Sequence, residues 1–387
     1  MRKILIVSWR VFILPIILCA ASCASHTGGK SEDLPVIFQP RYAEGFQIAG
    51  YKDSLSRLIR VTAPWQEADS TAMDLLVLRN GESIPDNFTG PVIKNKAERI
   101  ALVSSSHIAF LDLLGMVNTV KAVSGAKFIS NTYIQNKLDE IADIGYDTNP
   151  DMELLLNTQP DIVLLYGIRG ANPIEKKLKS LNIPYIYLGE YLEPDPLGKT
   201  EWIYVLGEIT GSKDKAHEVF QWIEKRYLGL KTKVTIALEA STQRPKIMLN
   251  VPYGTTWFMS SSISTISRLI QDAGAQYIYQ DNKTNRSLPI DIEKAWMLAS
   301  ESDFWLNTGQ ISSLDELKDS YPQFIGISCV QNKKVWNCDL RTTKGGGNDF
   351  WESGAVRADL VLEDLVRIFH PEILEDGPMH YYRNLGQ

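Results

Sequence analysis

The apolar positions of this chain fall into a pattern that occurs twice. The first copy runs Asp151-Met152-Glu153, a short mixed stretch, then Asp161-Ile162-Val163-Leu164-Leu165-Tyr166-Gly167. The second runs Asp291-Ile292-Glu293, another mixed stretch, then Asp303-Phe304-Trp305-Leu306-Asn307-Thr308-Gly309. Each reads as a helix opened by acidic residues, followed by a buried parallel strand that ends at a glycine. An echo lies upstream of each copy. Ser104-Ser105-Ser106 precedes a helix closing at Gly115, and Ser260-Ser261-Ser262 precedes one closing at Gly274. Repetition of this order predicts two similar α/β lobes with a cleft between them, and such clefts are where small ligands bind.

The strands around the first copy are Arg99–Val103, Lys121–Val123 and Pro184–Leu188, with helices at Ile108–Leu114 and from Asn172-Pro173-Ile174-Glu175 onward. Short apolar strands alternating with helices predict a mainly parallel sheet covered on both faces. Before this lobe, Tyr42–Ile48, Leu58–Val61 and Leu75–Leu78 read as strands separated by turn residues, a β-rich extension packed on the first lobe. After it, Lys213 to Leu238 holds no proline, and Phe220, Ile223, Tyr227, Leu230 and Val234 recur at helical spacing. That segment predicts a stiff spine between the lobes. The second lobe opens at Lys246–Val251 and ends with a helix over about Trp351–Phe369.

The N-terminus carries an address. Arg2 and Lys3 precede the apolar run Val11–Leu18, and Ala20-Ala21-Ser22 precedes Cys23. Small residues before a cysteine fit a lipoprotein signal cleaved ahead of Cys23, whose thiol then carries lipid. The run is short for a spanning helix and contains Pro15. The domain plan is therefore a signal peptide at 1–22, a lipidated tether at 23–35, the β-rich extension at 36–95, the first lobe at 96–210, the spine at 211–242 and the second lobe at 243–387. An exported body tethered to a membrane follows.

Composition narrows the partners. The chain has 387 residues, enough for two cored domains, and its net charge of −6 gives nucleic-acid binding no electrostatic support. Of four cysteines, Cys19 leaves with the signal and Cys23 takes the lipid. Cys329 and Cys338 remain, placed for a local disulfide across a turn, with two buried free thiols as the alternative.

Taken in order, several segments resemble the substrate-binding proteins of ABC importers for iron-siderophores, haem and cobalamin. They are Arg99–Ser104 leading to Leu113-Leu114-Gly115, Asp151–Glu153 with Gln159-Pro160-Asp161-Ile162-Val163, Trp257–Ser260 with Ala273-Gly274-Ala275, Ile292-Glu293, and Asn348-Asp349-Phe350-Trp351. The resemblance covers about residues 97 to 387, and the 36–95 segment departs from it. It implies two Rossmann-like lobes joined by one long helix, no enzymatic activity, a monomer, and a partner ABC permease dimer with its ATPase subunits. One surface glutamate per lobe docks on the permease in this family, and the matching residues are Glu153 and Glu293. Helix-dipole compensation is the plain alternative for both.

Ligands of such sheets bind beyond the C-terminal strand ends. The candidates there are Ser105, Ser106, His107, Lys127, Phe128, Tyr146, Tyr166 and Arg169 on the first lobe. On the second they are Trp257, Phe258, Arg286, Arg341, Lys344 and Trp351. Aromatic faces stack on macrocycles or catechols, and cations suit anionic chelates. The expected cargo is thus a metal chelate, namely a ferric siderophore, haem or cobalamin, with no resident cofactor. A bare metal-ion receptor needs converging His and carboxylate ligands, and of five histidines only His107 is well placed. An exported lipoprotein enzyme or a partner-binding protein is the other class. G-x-S-x-G and H-E-x-x-H do not occur, and Gly198-Lys199-Thr200 fails as a P-loop because Glu193 stands where its first glycine belongs. Gly345-Gly346-Gly347 reads as a flexible loop at a cleft edge.

Overall fold

The computed structural model describes residues 34–386, apart from positions 52, 69, 70, 87, 147, 148, 169 and 242. The segment read as a signal peptide, the expected lipidation site Cys23, nearly all of the expected tether, and Arg169 therefore lie outside the described residues. No described helix is long and apolar enough to cross a membrane.

Three sheets follow one another along the chain. The first holds β1 (Val36–Phe38), β2 (Phe46–Ala49), β3 (Arg57–Thr62), β4 (Ala72–Leu78) and β5 (Val92–Lys94), neighbouring in that order. Its pairs are antiparallel except β4 with β5. Phe46, Ile48, Ile59, Val61, Leu75 and Val77 bury one face in the core shared with the first lobe. On the other face Arg60 and Asp74 sit opposite each other across β3 and β4 and close a two-pronged ion pair at 2.8 Å.

The first lobe holds β6 (Ile100–Leu102), β7 (Val120–Val123), β8 (Ala142–Asp143), β9 (Ile162–Leu165) and β10 (Tyr185–Tyr187). All pairs are parallel, in the order β10-β9-β6-β7-β8. Every residue of β9 is buried, as expected of a strand with helices on both faces. In the second lobe, β11 (Lys246–Leu249), β13 (Gln276–Tyr277), β15 (Phe304–Leu306), β16 (Val335–Asn337) and β17 (Arg383–Asn384) form the order β13-β11-β15-β16-β17. Only the β17 pairing is antiparallel. β12 (Thr256–Met259) and β14 (Leu288–Asp291) make a separate antiparallel ribbon. The molecule is thus two α/β lobes with mainly parallel sheets, joined by a long helix and preceded by a β-rich extension.

That helix spans Lys213–Ala237, 25 residues or about 37 Å at 1.5 Å per residue. Phe220, Ile223, Tyr227 and Val234 are buried along one stripe, and Leu230 is partly buried beside them. Its polar side is bonded at both ends of the molecule. Tyr42 donates to Glu224 at 2.6 Å, while Tyr227 donates to Asp272 at 2.7 Å and Arg226 reaches Asp359 and Glu363 at 2.8 and 2.9 Å. The helices closing at Gly115 and Gly274 end with those glycines at φ of 70° and 80°. That left-handed turn is the usual helix terminator and disfavours a side chain.

One expectation changes, and one pair of alternatives is decided for the buried free thiols. The closing helix of the second lobe is Ala358–Phe369, because Asp349–Trp351 and Ser353–Ala355 are single 3₁₀ turns. The Cys329–Cys338 disulfide does not form, and both residues are free and buried. Cys329 sits on the short helix Ser328–Gln331 and Cys338 directly follows β16. Burial pushes both thiols up to about 12.

Candidate functional site

A cavity of about 620 Å³ lies where the extension and the two lobes meet, within the usual range for small-molecule sites. The extension supplies Thr62, Ala63, Trp65, Gln66 and Glu67. The first lobe supplies Tyr191, Glu193 and Lys199, and the second supplies Asn250, Ser260, Ser261, Ser264, Thr265, Asn307 and Trp351.

Each wall is held by its local chain. Asn250 and Asn307 follow the ends of β11 and β15 at φ of 67° and 60°, a conformation asparagine tolerates better than most residues. β11 and β15 are the neighbours at which the strand order of this lobe reverses, the usual place for a ligand crevice. The asparagines are fixed in turn. Tyr382 donates to Asn307 Oδ1 at 3.0 Å, and Asn250 Nδ2 donates to Ser260 Oγ at 3.4 Å.

The extension is strapped to the first lobe by two buried carboxylates. Glu201 accepts from the backbone N–H groups of Arg41, Tyr42 and Ala43, each at 2.8 Å. Glu193 accepts from those of Glu44 and Gly45 at 2.8 and 3.0 Å, and from Trp202 Nε1 at 2.8 Å. Burial raises the Glu193 carboxyl above its ordinary value, against the pull of these donors. Further along, Gln66 N donates to Ile168 O at 3.3 Å, Trp65 packs edge-on against Tyr187 at 5.2 Å, and Tyr191 bonds the Gly167 carbonyl. The extension therefore covers the loop that follows β9.

The two lobes meet at few polar points. Thr265 Oγ1 donates to Glu193 O at 2.6 Å, Thr200 Oγ1 to Val356 O at 3.0 Å, and Ser130 N to Glu352 Oε2 at 2.7 Å. Burial pushes the Glu352 carboxyl up to about 7, opposed by the Ser130 N–H and reinforced by Asp349. The Gly345–Gly347 loop closes this edge. A Cβ on Gly345 would stand 2.1 Å from Lys127 O, and one on Gly347 2.3 Å from Phe128 O. Only glycine permits that approach.

A family model described as periplasmic binding protein matches residues 100–342. The chain belongs to the periplasmic binding protein family. An uncharacterized lipoprotein of Methanocaldococcus jannaschii is 25% identical over 333 residues, covering 81% of this chain and 76% of that one. A periplasmic heme-binding protein of Pseudomonas aeruginosa shares the fold at a TM-score of 0.59 and 17% identity, covering 75% of this chain and 99% of its own. A periplasmic heme-binding protein of Vibrio cholerae does so at 0.53 and 17%, covering 70% and 99%. The family is that of substrate-binding components of ABC importers.

In this binding protein, one of the candidates from strand-end reasoning, Trp351, lines the cavity. Ser105, Ser106 and His107 form the first turn of the Ser105–Leu113 helix, the last two buried. Ser106 Oγ donates to the buried Glu190 at 2.7 Å, and His107 Nε2 stands 3.8 Å from the other Glu190 oxygen, an electrostatic contact rather than a hydrogen bond. Burial pushes the Glu190 carboxyl up, but His107, Ser106 and Lys199 together hold it below its ordinary value. Lys127 and Phe128 abut the glycine loop, and Tyr146 is exposed. Tyr166 packs beside the first-lobe core, its carbonyl accepting from Asn172 Nδ2 at 3.2 Å. Trp257 is a core residue whose indole donates to Leu249 O at 2.9 Å, while Phe258 is exposed. Arg286 pairs with Glu67 at 3.0 Å, Arg341 pairs with Asp349 at 2.6 Å over the Tyr381 ring, and Lys344 is exposed.

Glu153 and Glu293 occupy matching positions on the two lobes. Both are exposed in the first turn of a helix, behind Asp151 and Asp291, whose carboxylates cap the helix N-termini. Strand-end reasoning missed Trp65, Lys199, Asn250 and Asn307. An asparagine directly after an apolar strand run was a usable signal for the last two. Among the described residues no cluster of three or more His, Cys, Asp or Glu is placed to hold a metal ion.

Proposed function

We propose that this protein is the membrane-tethered, extracytoplasmic receptor of an ABC importer, and that it captures a chelated metal cofactor or iron chelate in the inter-lobe cavity. The observation that carries the reading is the cavity itself, set at the strand-order reversal of one lobe and walled by aromatic and hydroxyl-bearing side chains. Its mix of Trp65, Tyr191 and Trp351 with serine and asparagine suits a ligand with a flat apolar body and a polar rim. Family membership supports the transport role, and relatives of the same fold named for heme or iron binding favour haem or an iron chelate, with cobalamin as a further candidate from the family resemblance alone. Export through residues 1–22, lipidation at Cys23 and a 23–35 tether agree with a relative described as a lipoprotein. The body works as a monomer and does no chemistry.

Delivery runs through Glu153 and Glu293. Two carboxylates at fixed positions on a body braced by one helix can read a two-fold permease with its ATPase subunits, since charge complementarity sets orientation and association rate. Reversing either charge abolishes import and leaves ligand affinity intact. Loss of affinity in the purified double variant, measured by calorimetry, removes the docking role.

A thermal-shift panel on the soluble body tests the reading as a whole. It holds ferric siderophores, haemin, cobalamin, free metal ions and nucleotides. One chelate at a thousandfold excess over Kd adds about 4 kcal/mol of stability and raises the melting point. No response to any chelate rejects the receptor reading.

A further inference from the structure

The Gly198-Lys199-Thr200 triplet is no phosphate loop, but its residues divide their work. Gly198 lies under the strap, where a Cβ would stand 2.9 Å from Tyr42 O, and Thr200 bonds across to the second lobe. Lys199 is different. It lines the cavity, and its ammonium has no hydrogen-bond or ion-pair partner among the described residues. The buried Glu190 acts on it only through its field. Burial draws the Lys199 ammonium below its ordinary value, and Glu190 opposes that pull. Lys199 is also the one cation among the described residues that line the cavity. The acids on the same wall have other partners. Glu193 is tied to the strap and Glu67 to Arg286, while Glu44 stands exposed at the rim.

Lys199 is partly buried, its side chain on the cavity wall, and an anionic oxygen in the cavity would supply the contact that no protein group makes there. We propose that Lys199 is a carboxylate-recognition point on the cavity wall, so that the captured ligand presents a singly charged carboxylate there. This rests on the receptor reading and narrows it. A single charge fits best, because Glu190 already offsets part of the lysine charge and a dianion would also face Glu44, Glu67 and Glu193.

The test has two arms. In the first, NMR follows isotope-labelled lysine side chains of the whole soluble body during titration with acetate and with inorganic phosphate. The Lys199 signal is identified by its absence in Lys199→Met. The expected result is a saturable acetate shift at Lys199 that also raises its pKa, with phosphate weaker. No acetate response at Lys199, or tighter binding of phosphate, overturns the proposal, and neither result touches the receptor reading. In the second arm, haemin and its dimethyl ester compete for the wild-type, Lys199→Met and Lys199→Arg proteins. The free acid binds the wild type at least about tenfold more tightly, or about 1.4 kcal/mol. Lys199→Met loses that preference, Lys199→Arg keeps it, and neither variant melts lower than the wild type. An unchanged preference in Lys199→Met overturns the proposal. If the wild type binds neither probe, the haem part of the receptor reading fails and the NMR arm alone decides on Lys199.

Discussion

The two lobes reverse their strand order in the same way, yet the crevices at the reversal differ. In the second lobe the loops after β11 and β15 face the cavity through Asn250 and Asn307. In the first lobe the loop after β6 turns directly into a buried helix, and the loop after β9 lies under Trp65 and Gln66 of the extension. Topology locates a crevice, but a segment upstream of the lobe decides whether it is vacant. The extension converts a two-walled cleft into a three-walled one and gives its own loop the place that first-lobe residues would otherwise hold.

The largest expected effect comes from undoing the strap. Glu201→Ala leaves three backbone N–H groups of residues 41–43 without their acceptor. The Ala43 N–H is buried and the other two are partly so; at roughly 1–3 kcal/mol for the first and less for the others, the strap is weakened by about 3 kcal/mol and the extension opens ahead of the lobes. Urea unfolding then shows an early step in the Trp65 environment, and faster hydrogen exchange in β1 to β3 than in β9 locates it. One cooperative transition as steep as that of the wild type contradicts the idea that the cover is a separable body.

The next effect concerns the join between the lobes. Glu352 has its carboxyl at about 7 in the native protein, against an ordinary 4.5. The native state therefore holds a proton that the unfolded chain has lost, so stability falls as pH rises from about 4.5 to about 7 and is level above that. Glu352→Gln keeps an acceptor for Ser130 N and removes that slope. The gain above pH 7 is on the order of 2–3 kcal/mol. Melting temperatures across this window, compared between the two proteins, decide it, and identical slopes would show that the charge of Glu352 is not what strains the join.

The smallest effect is at the tip of the covering loop. Arg286 and Glu67 are more than half exposed, at 55% and 69%, so Arg286→Ala changes stability by about 0.5 kcal/mol or less. Its value lies in kinetics. The pair ties the extension to the second lobe across the cavity mouth, and its loss speeds ligand association measured by stopped flow without moving the melting point. An unchanged rate means that entry lies elsewhere.

Much of the fold was legible because its signals are local. Apolar runs bounded by acid and glycine marked β9 and β15, and helical spacing marked the spine from Phe220 to Val234. The strands of the extension were legible too, but not what they cover. Glu201 lies 160 residues from Arg41, and periodicity in a short window carries no trace of such a contact. The site was less legible for the same reason. Strand-end logic led to Tyr166 and His107, where the extension and the core had already filled the space. Lys199 and Trp65 lie on a helix and a loop whose own patterns do not mark them as cavity walls.

Cys329 and Cys338 remain as unbonded thiols inside the second lobe. No step in the maturation of this body waits on an oxidant at these two residues, and reductant leaves its melting point unchanged. With both thiols pushed up to about 12, a maleimide reaches them only when that lobe opens. The lobe thus carries two internal reporters, and their rate of labelling under native conditions measures its opening free energy without any engineered residue.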